Sequence, residues 1–388
     1  MSFSFDTITD RRGTDSLKYD FAVKRGLPAD VLPLWVADMD FPAPPCVVEA
    51  VTERARHGIW GYSDTLEDYD VVLTEWFSSR FGWKIDPAWL VKTPGVVFAV
   101  ATAVRAFTKP GDAVLIQPPV YYPFRSVVLD NGRKLVTNEL LYADGRYEID
   151  FADFEEKIVR EDVKAFILCS PHNPVGRVWT EEELRRLGEI CVRHGVLVIA
   201  DEIHADFVRE GHRHLPFITV DKAFEPHTVV CTAPSKTFNL AGLQISNILI
   251  PNEQLRRDFR RAIQRTGASE ANVMGIVACR AAYRGGAEWL DALREYLEGN
   301  LAFVRDFLRD NLPEIRLVEP EGTYLIWLDC KQLALSDGEL DRRIREDCGL
   351  WLDGGTMFGE GGSGFQRINI ACPRATLAEA MEKLRKIR

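Results

Sequence analysis

Residues 165–204 read AFILCSPHNPVGRVWTEEELRRLGEICVRHGVLVIADEIH, and the fold follows from this stretch. It opens on an unbroken apolar run at 165–169 and closes on a second at 196–200; runs this short and this apolar suit strands covered on both faces. Between them Thr180 and Glu183 have the spacing of a capping box, Leu184, Leu187, Ile190 and Cys191 share one helical face, and Gly195 closes the end. Strand, helix, strand in direct succession predicts a parallel pair with a right-handed crossover.

The same alternation extends outward from about Pro45 to Cys279, with further apolar runs at 113–116 and 228–231, as in an α/β domain with a mostly parallel sheet covered by helices. From about Gly285 the character changes: charged amphipathic stretches at 291–311 and 375–388 flank short strands at 324–328 and 367–370, which predicts a smaller α+β unit. The first 45 residues are rich in Pro, Asp and aromatics, show no long period, and are expected to wrap or bridge the other two parts. The expected division is therefore an arm over 1–45 contributing to the small domain, a large domain over 46–284 and a small domain over 285–388.

The chain has 388 residues, 48 basic and 58 acidic, for a net charge of −10; 46% are hydrophobic and 27% charged. This is an ordinary globular composition, with enough length for two or three domains without disulfide or metal staples. The acidic balance argues against a broad nucleic-acid surface, which needs clustered Lys and Arg, but not against one local anionic ligand. Charges appear by Asp6, Asp10 and Arg11, and no run approaches the ~18 apolar residues of a membrane span, so a cytoplasmic chain with no membrane partner is expected. The closest two of the eight cysteines are Cys330 and Cys348, which leaves no C-x-x-C signature; most are expected to be small buried apolar residues.

In an open parallel sheet, ligands bind beyond the carboxyl ends of the strands. After the run at 113–116 come Pro119, Tyr121 and Tyr122; after 165–169 come His172 and Asn173; after 196–200 come Asp201, Glu202 and His204; after 228–231 come Ser235 and Lys236. Taken singly each has an ordinary role: Asn173 before Pro174 is a turn residue, a strand-ending Asp a cap, Tyr121 packing, Lys236 a solvated ammonium. Together they place two aromatics, an amide, a carboxylate and a lysine on one edge. In addition Thr93-Pro94-Gly95-Val96-Val97 feeds a Pro-Gly turn into an apolar helix expected over 98–107, and the free N–H groups of such a helix start form a phosphate cradle. Pyridoxal phosphate uses all of these: a lysine amine condenses with its aldehyde, a carboxylate keeps its ring nitrogen protonated, and an aromatic face fixes the ring plane.

At this point the sequence resembles the fold type I pyridoxal-phosphate enzymes of the class I/II aminotransferase superfamily, and within them the MalY/PatB-like carbon–sulfur β-lyases. The resemblance runs nearly end to end, through Pro33-Leu34-Trp35-Val36-Ala37-Asp38-Met39-Asp40-Phe41, Trp60-Gly61-Tyr62, Pro119-Val120-Tyr121-Tyr122-Pro123-Phe124, Pro171-His172-Asn173-Pro174-Val175-Gly176, Asp201-Glu202-Ile203-His204, Ser235-Lys236-Thr237-Phe238-Asn239-Leu240-Ala241-Gly242-Leu243 and Glu321-Gly322-Thr323-Tyr324. It implies a seven-stranded, mostly parallel sheet in the large domain and a homodimer with shared active sites. It further implies that Lys236 carries the cofactor, Asp201 pairs with the pyridine nitrogen, Asn173 bonds the phenolic oxygen and Tyr121 stacks on the ring. Gly95, Val96, Val97 and Ser235 would hold the phosphate, joined by Tyr62 from the neighbouring subunit, with His204 also beside the cofactor. Arg367, with Asn173 and Ala37, would take the substrate carboxylate. Two positions depart from many aminotransferases: His204 stands three residues after the aspartate where they have a tyrosine, and Gln244 stands eight after the lysine where they have an arginine, which leaves the compensation of the phosphate charge open. Both departures match the β-lyase group.

The activity implied is α,β-elimination from cystathionine or a related cysteine S-conjugate to a thiol, pyruvate and ammonia, with Lys236 moving the Cα proton and Tyr122 protonating the leaving sulfur or steering the substrate. An aminotransferase of the same fold would use the same lysine. A metal hydrolase on Asp201, Glu202, His204 and Asp206, with His212 and His214 nearby, is a remote alternative; 202, 204 and 206 would share a strand face. A non-enzymatic regulator on the same fold is another. Residues 359–364 formally fit G-x-G-x-x-G, but a strand-like segment follows, so they are expected to form a flexible loop near the substrate entrance rather than a dinucleotide site.

Overall fold

Seven strands, β1 (Leu90–Thr93), β2 (Ala113–Ile116), β3 (Lys134–Thr137), β4 (Val163–Cys169), β5 (Leu197–Asp201), β6 (Thr228–Thr232) and β7 (Ser246–Leu249), form one sheet in the order β1-β7-β6-β5-β4-β2-β3, in a computed structural model that describes residues 3–268 and 270–388. Only β7 runs against its neighbours; every other pairing in the sheet is parallel. Both faces are covered. Along β4, Phe166 and Leu168 enter one apolar layer and Ala165, Ile167 and Cys169 the other; along β5, Val198 and Ala200 face one way and Leu197 and Ile199 the other. This is why the two runs are apolar throughout rather than alternating.

Helices α1 (Val96–Phe107) and α2 (Glu181–Arg193) cover opposite faces. The capping box at α2 forms as expected: the Glu183 N–H donates to Thr180 Oγ1 at 3.2 Å, and the Thr180 N–H donates to the Glu183 carboxylate at 2.8 Å, an arrangement that contributes about 1 kcal/mol. Gly195 takes the left-handed φ of +66° that ends the helix. Strand ends differ from the sequence reading by one or two residues. Asp201 belongs to β5, because it registers with Cys169 on one side and Cys231 on the other. The helix expected from residue 98 begins at Val96.

The C-terminal part contains α3 (Ala287–Asn311), α4 (Arg374–Leu384) and an antiparallel sheet of β8 (Arg316–Val318), β9 (Leu325–Asp329), β10 (Asp353–Gly354) and β11 (Phe365–Asn369), ordered β8-β9-β11-β10. The N-terminal arm bridges to it: Leu32–Pro33 pairs in parallel with Leu350–Trp351, and the Trp35 and Trp351 rings stack at 4.3 Å. A fully buried lysine, Lys18, donates to Asp40 at 2.9 Å, while Arg11 holds Asp38 at 2.6 Å and Asp40 at 2.8 Å. All eight cysteines are unpaired and seven are buried. Among the described residues no helix is long and apolar enough to cross a membrane.

The packing makes one test against simple propensity. A Cβ on Gly188, inside α2, would lie 2.2 Å from Phe224 Cζ. Gly188→Ala should therefore destabilise the protein by about 1–3 kcal/mol through overpacking, although alanine is the better helix former by roughly 1 kcal/mol. A thermal midpoint at or above the wild-type value would show that Phe224 yields freely.

Candidate active site

The carboxyl ends of β4, β5 and β6 and the start of α1 open into one cavity of about 190 Å³, lined by Ala37, Gly95, Val96, Val97, Tyr121, Asn173, Asp201, His204, Ser235 and Lys236, together with Gln244 and Ser246. Ten of the residues singled out from the sequence thus meet at one place. Strand β5 ends in the buried carboxylate of Asp201, whose Oδ1 accepts the Ile203 N–H at 3.1 Å. Beyond β6 the chain turns through the short helix Pro234–Thr237, which presents Lys236 to the cavity. Its Nζ donates to the Ala37 carbonyl at 3.2 Å.

Burial sets the protonation of this pair. It lowers the Lys236 ammonium from its usual range to about 8; the Asp38 and Asp201 carboxylates oppose that fall and Arg367 adds to it. Burial also raises the Asp201 carboxyl to about 7, against the Ile203 N–H and the Lys236 charge. His204 is pushed far down by burial, then by Lys236 and Arg367, so it is a neutral imidazole; its Nδ1 has no partner.

At the opposite end Gly95 precedes α1 and offers no side-chain cap. The Val96 and Val97 N–H groups therefore lie in the unpaired first turn of a twelve-residue helix, aimed at the cavity they line. Ser246 Oγ is buried there without a hydrogen-bond partner among the described residues. Orphaned donors at a helix start are the complement of a phosphate group, and the buried amine, carboxylate and aromatic face complement a pyridoxal ring, so the residues present fit the cofactor the sequence implied.

Arg367 sits within β11 rather than at a strand end. It is buried, donating from Nη1 to Asn173 Oδ1 at 3.0 Å and from Nη2 to the Trp35 carbonyl at 2.9 Å, and it is ion-paired to Asp353. Accepting Arg367 at Oδ1 orients the Asn173 NH2 as a donor. Arg367 Nε has no partner. Tyr122 does not line the cavity; its ring packs edge-on to Phe358 at 5.9 Å, and Arg367 lies over the same Phe358 ring. Tyr62 also lies outside the cavity, 96% exposed.

Two expectations are corrected. Residues 202, 204 and 206 share no strand face, because β5 stops at Asp201: Glu202 accepts the Phe217 N–H at 2.7 Å and meets His214 at 3.2 Å, while Asp206 accepts the Thr237 hydroxyl at 2.7 Å. Among the described residues no three such side chains form a metal-binding group. Residues 359–364 are not a free loop: short 3-10 turns at Gly355–Phe358 and Glu360–Gly362 seat this segment against Pro118 and Pro119, with the Val120 N–H on the Phe358 carbonyl at 3.0 Å.

Ser246 escaped the sequence reading because it opens the reversed strand β7, whose amino end reaches the edge where the parallel strands have their carboxyl ends. Asp38 and Tyr324 were seen only inside motifs. The Tyr324 hydroxyl shares the Ala37 carbonyl with Lys236, at 2.8 Å. The signal for Tyr324 was its aromatic character directly ahead of a short apolar run; for Asp38 there was none.

A mostly parallel sheet with a buried lysine and carboxylate at its carboxyl edge, facing a helix start, is the site of a pyridoxal-phosphate enzyme of the aminotransferase class I and II type, and the chain belongs to that family, whose model matches residues 29–384. Within it the chain is 45% identical to cystathionine beta-lyase PatB of Bacillus subtilis over 98% of this chain and 99% of that one. It is 36% identical to protein MalY of Escherichia coli, with 98% of each covered. Its fold superposes with a TM-score of 0.96 on cystalysin from Treponema denticola, a structure that contains pyridoxal 5'-phosphate, at 38% identity and covering 100% of this chain and 99% of that one.

The protonation state of Lys236 makes a pH prediction. The free amine condenses with an aldehyde and the ammonium does not, and a depressed pKa makes the free amine available at lower pH. Cofactor uptake by the apoprotein should rise about tenfold per pH unit below about 8 and level off above it. Stopped-flow absorbance reads the rate; a rise continuing toward the ordinary lysine range would refute a depressed amine.

Proposed function

We propose that this chain is a pyridoxal-phosphate-dependent carbon–sulfur β-lyase that cleaves cystathionine or related cysteine S-conjugates to a thiol, pyruvate and ammonia. The observation that carries the reading is the convergence of the lowered Lys236 amine, the raised Asp201 carboxyl and the Asn173–Arg367 pair around one cavity. Near-complete similarity to PatB supports the choice of reaction.

When bound, the cofactor supplies an electron sink for the charge left at the substrate Cα. Asp201 would hold the proton at its ring nitrogen, a role suited to a buried carboxylate that favours a proton nearby. The Asn173 NH2 would donate to the phenolic oxygen, and Tyr121 would pack on the ring. The Val96 and Val97 N–H groups, with the Ser235 and Ser246 hydroxyls, would hold the phosphate. No arginine stands at Gln244, so dipole and neutral donors carry most of its charge within one chain. Arg367 binds the substrate α-carboxylate, prepared by Asn173, Asp353 and the Trp35 carbonyl. Lys236 takes the Cα proton, its pKa near the working pH as general-base catalysis requires. Tyr122, kept protonated by burial and packed on the Phe358 ring that Arg367 also covers, steers the leaving-group end of the substrate from outside the cavity wall.

Ile59, Trp60, Tyr62 and Leu66 are all more than half exposed on one short segment, an apolar surface that a second copy of the chain would cover. In that homodimer Tyr62 reaches the phosphate of the other protomer, adding a donor where Gln244 gives no charge. The unpaired cysteines fit a reducing, cytoplasmic setting.

Incubated with cystathionine and no keto acid, the holoenzyme should release pyruvate and a thiol in step at a steady rate; turnover that requires a keto acid acceptor would instead assign an aminotransferase. Lys236→Ala should lower the elimination rate by about 10²–10⁴-fold. Mixing Lys236→Ala with Tyr62→Ala chains should recover activity that neither has alone, and failure to recover any would refute the shared site.

A further inference from the structure

The N-terminal arm carries two cations, Lys24 and Arg25, that form no ion pair among the described residues; Lys24 lies over the Phe21 ring and Arg25 over that of Trp35. The Arg25 guanidinium lies 4.8 Å from the Trp35 ring centroid and 5.7 Å from that of Trp351, over the edge of the stacked indole pair. It is exposed and makes no ion pair or side-chain hydrogen bond with the described residues. Stacking on indole holds a guanidinium in place without neutralising it. The Trp35 Nε1–H is buried and also lacks an acceptor among the described residues.

The indole pair links Arg25 to the substrate end of the site. The Trp35 carbonyl accepts Arg367, and Trp351 stands two residues before Asp353, the ion-pair partner of Arg367. The field of Arg25 reaches Tyr122 and Asp353, as the field of Arg367 does. Arg25, over the indole ring whose own backbone carbonyl holds Arg367, therefore lies near Tyr122 and Asp353, beside the end of the site assigned above to the leaving group. Arg367 has a carboxylate ion-pair partner; among the described residues Arg25 has none.

We propose that Arg25 is a specificity-determining residue that receives a second carboxylate, carried by the leaving thiol, so that the preferred substrates are cysteine thioethers with a carboxylate at the distal end. Cystathionine belongs to this class. The inference rests on the lyase reading above and deepens it by naming what the leaving group must carry. Arg25 touches no reacting atom: its contact lies beyond the bond that breaks, so it acts on binding of the substrate more than on the chemical step.

The test uses two thioethers of equal length, S-(2-carboxyethyl)-L-cysteine and S-propyl-L-cysteine, with the holoenzyme and its Arg25→Gln and Arg25→Lys variants. A charge-assisted contact at an exposed position predicts that Arg25→Gln lowers kcat/KM for the carboxyethyl substrate about 5- to 30-fold, mainly through KM. The propyl substrate should change less than about twofold, and Arg25→Lys should retain most of the preference, since a point charge remains. Equal losses on both substrates in both variants, or no loss on either, would overturn the assignment of Arg25 while leaving the lyase reading in place. If the wild-type holoenzyme released no pyruvate from either substrate, the lyase reading itself would fall.

Discussion

Residues 35–39 run between the two sheets, and each of their carbonyls is taken by a side chain from elsewhere. Trp35 accepts Arg367, Val36 and Asp38 accept Asn369, Ala37 accepts both Lys236 and Tyr324, and Met39 accepts Asn239 and Arg11. A buried carbonyl left unpaired costs about 1–3 kcal/mol, so a bent strip of backbone inside the protein must be satisfied in this way or move out to water. The rest of the site depends on that requirement. The same bonds that pin the arm also orient Arg367 and Lys236, the groups that meet the substrate carboxylate and its Cα.

This coupling explains why the arm is built as it is. Asn239, three residues after the lysine, takes a left-handed φ of +58° and clamps Met39 and Phe41 with three hydrogen bonds, one of them from the Met39 N–H. The turn that presents Lys236 is thereby fixed against the strip that receives its amine. On its far side the Thr237 hydroxyl donates to the half-buried Asp206. Lys236 is thus located from both directions, and a base that must meet a proton at one atom needs such restraint.

Electrostatics follow from the same enclosure. Burial moves Lys236 down and Asp201 up, so their pKa values approach each other from opposite sides, to about 8 and about 7. Among the described residues neither group forms an ion pair. Two groups held near neutrality and facing one cavity are suited to hand protons to a bound molecule rather than to stabilise the fold. The apolar core does the latter, through layers packed on both faces of the large sheet.

Much of the large sheet was legible because local chemistry fixes it. The apolar runs at 113–116 and 165–169 and the capping box at Thr180 are short-range patterns, and the rule that ligands gather at the carboxyl ends of parallel strands carried them to Asn173, Asp201 and Lys236. The chain alone therefore determined four of the seven strands of the large sheet, which edge bears the chemistry, and which residue types stand there. What it could not determine are contacts beyond the reach of a local pattern. That Asp353 and Trp35 flank Arg367, that Ser246 enters the cavity from a reversed strand, and that Tyr122 turns toward Phe358 while its neighbour Tyr121 faces inward were all decided by tertiary packing. The reason is physical: periodicity and capping act over a few residues, whereas a buried donor takes whichever acceptor the folded chain brings within reach, and no local pattern encodes that choice.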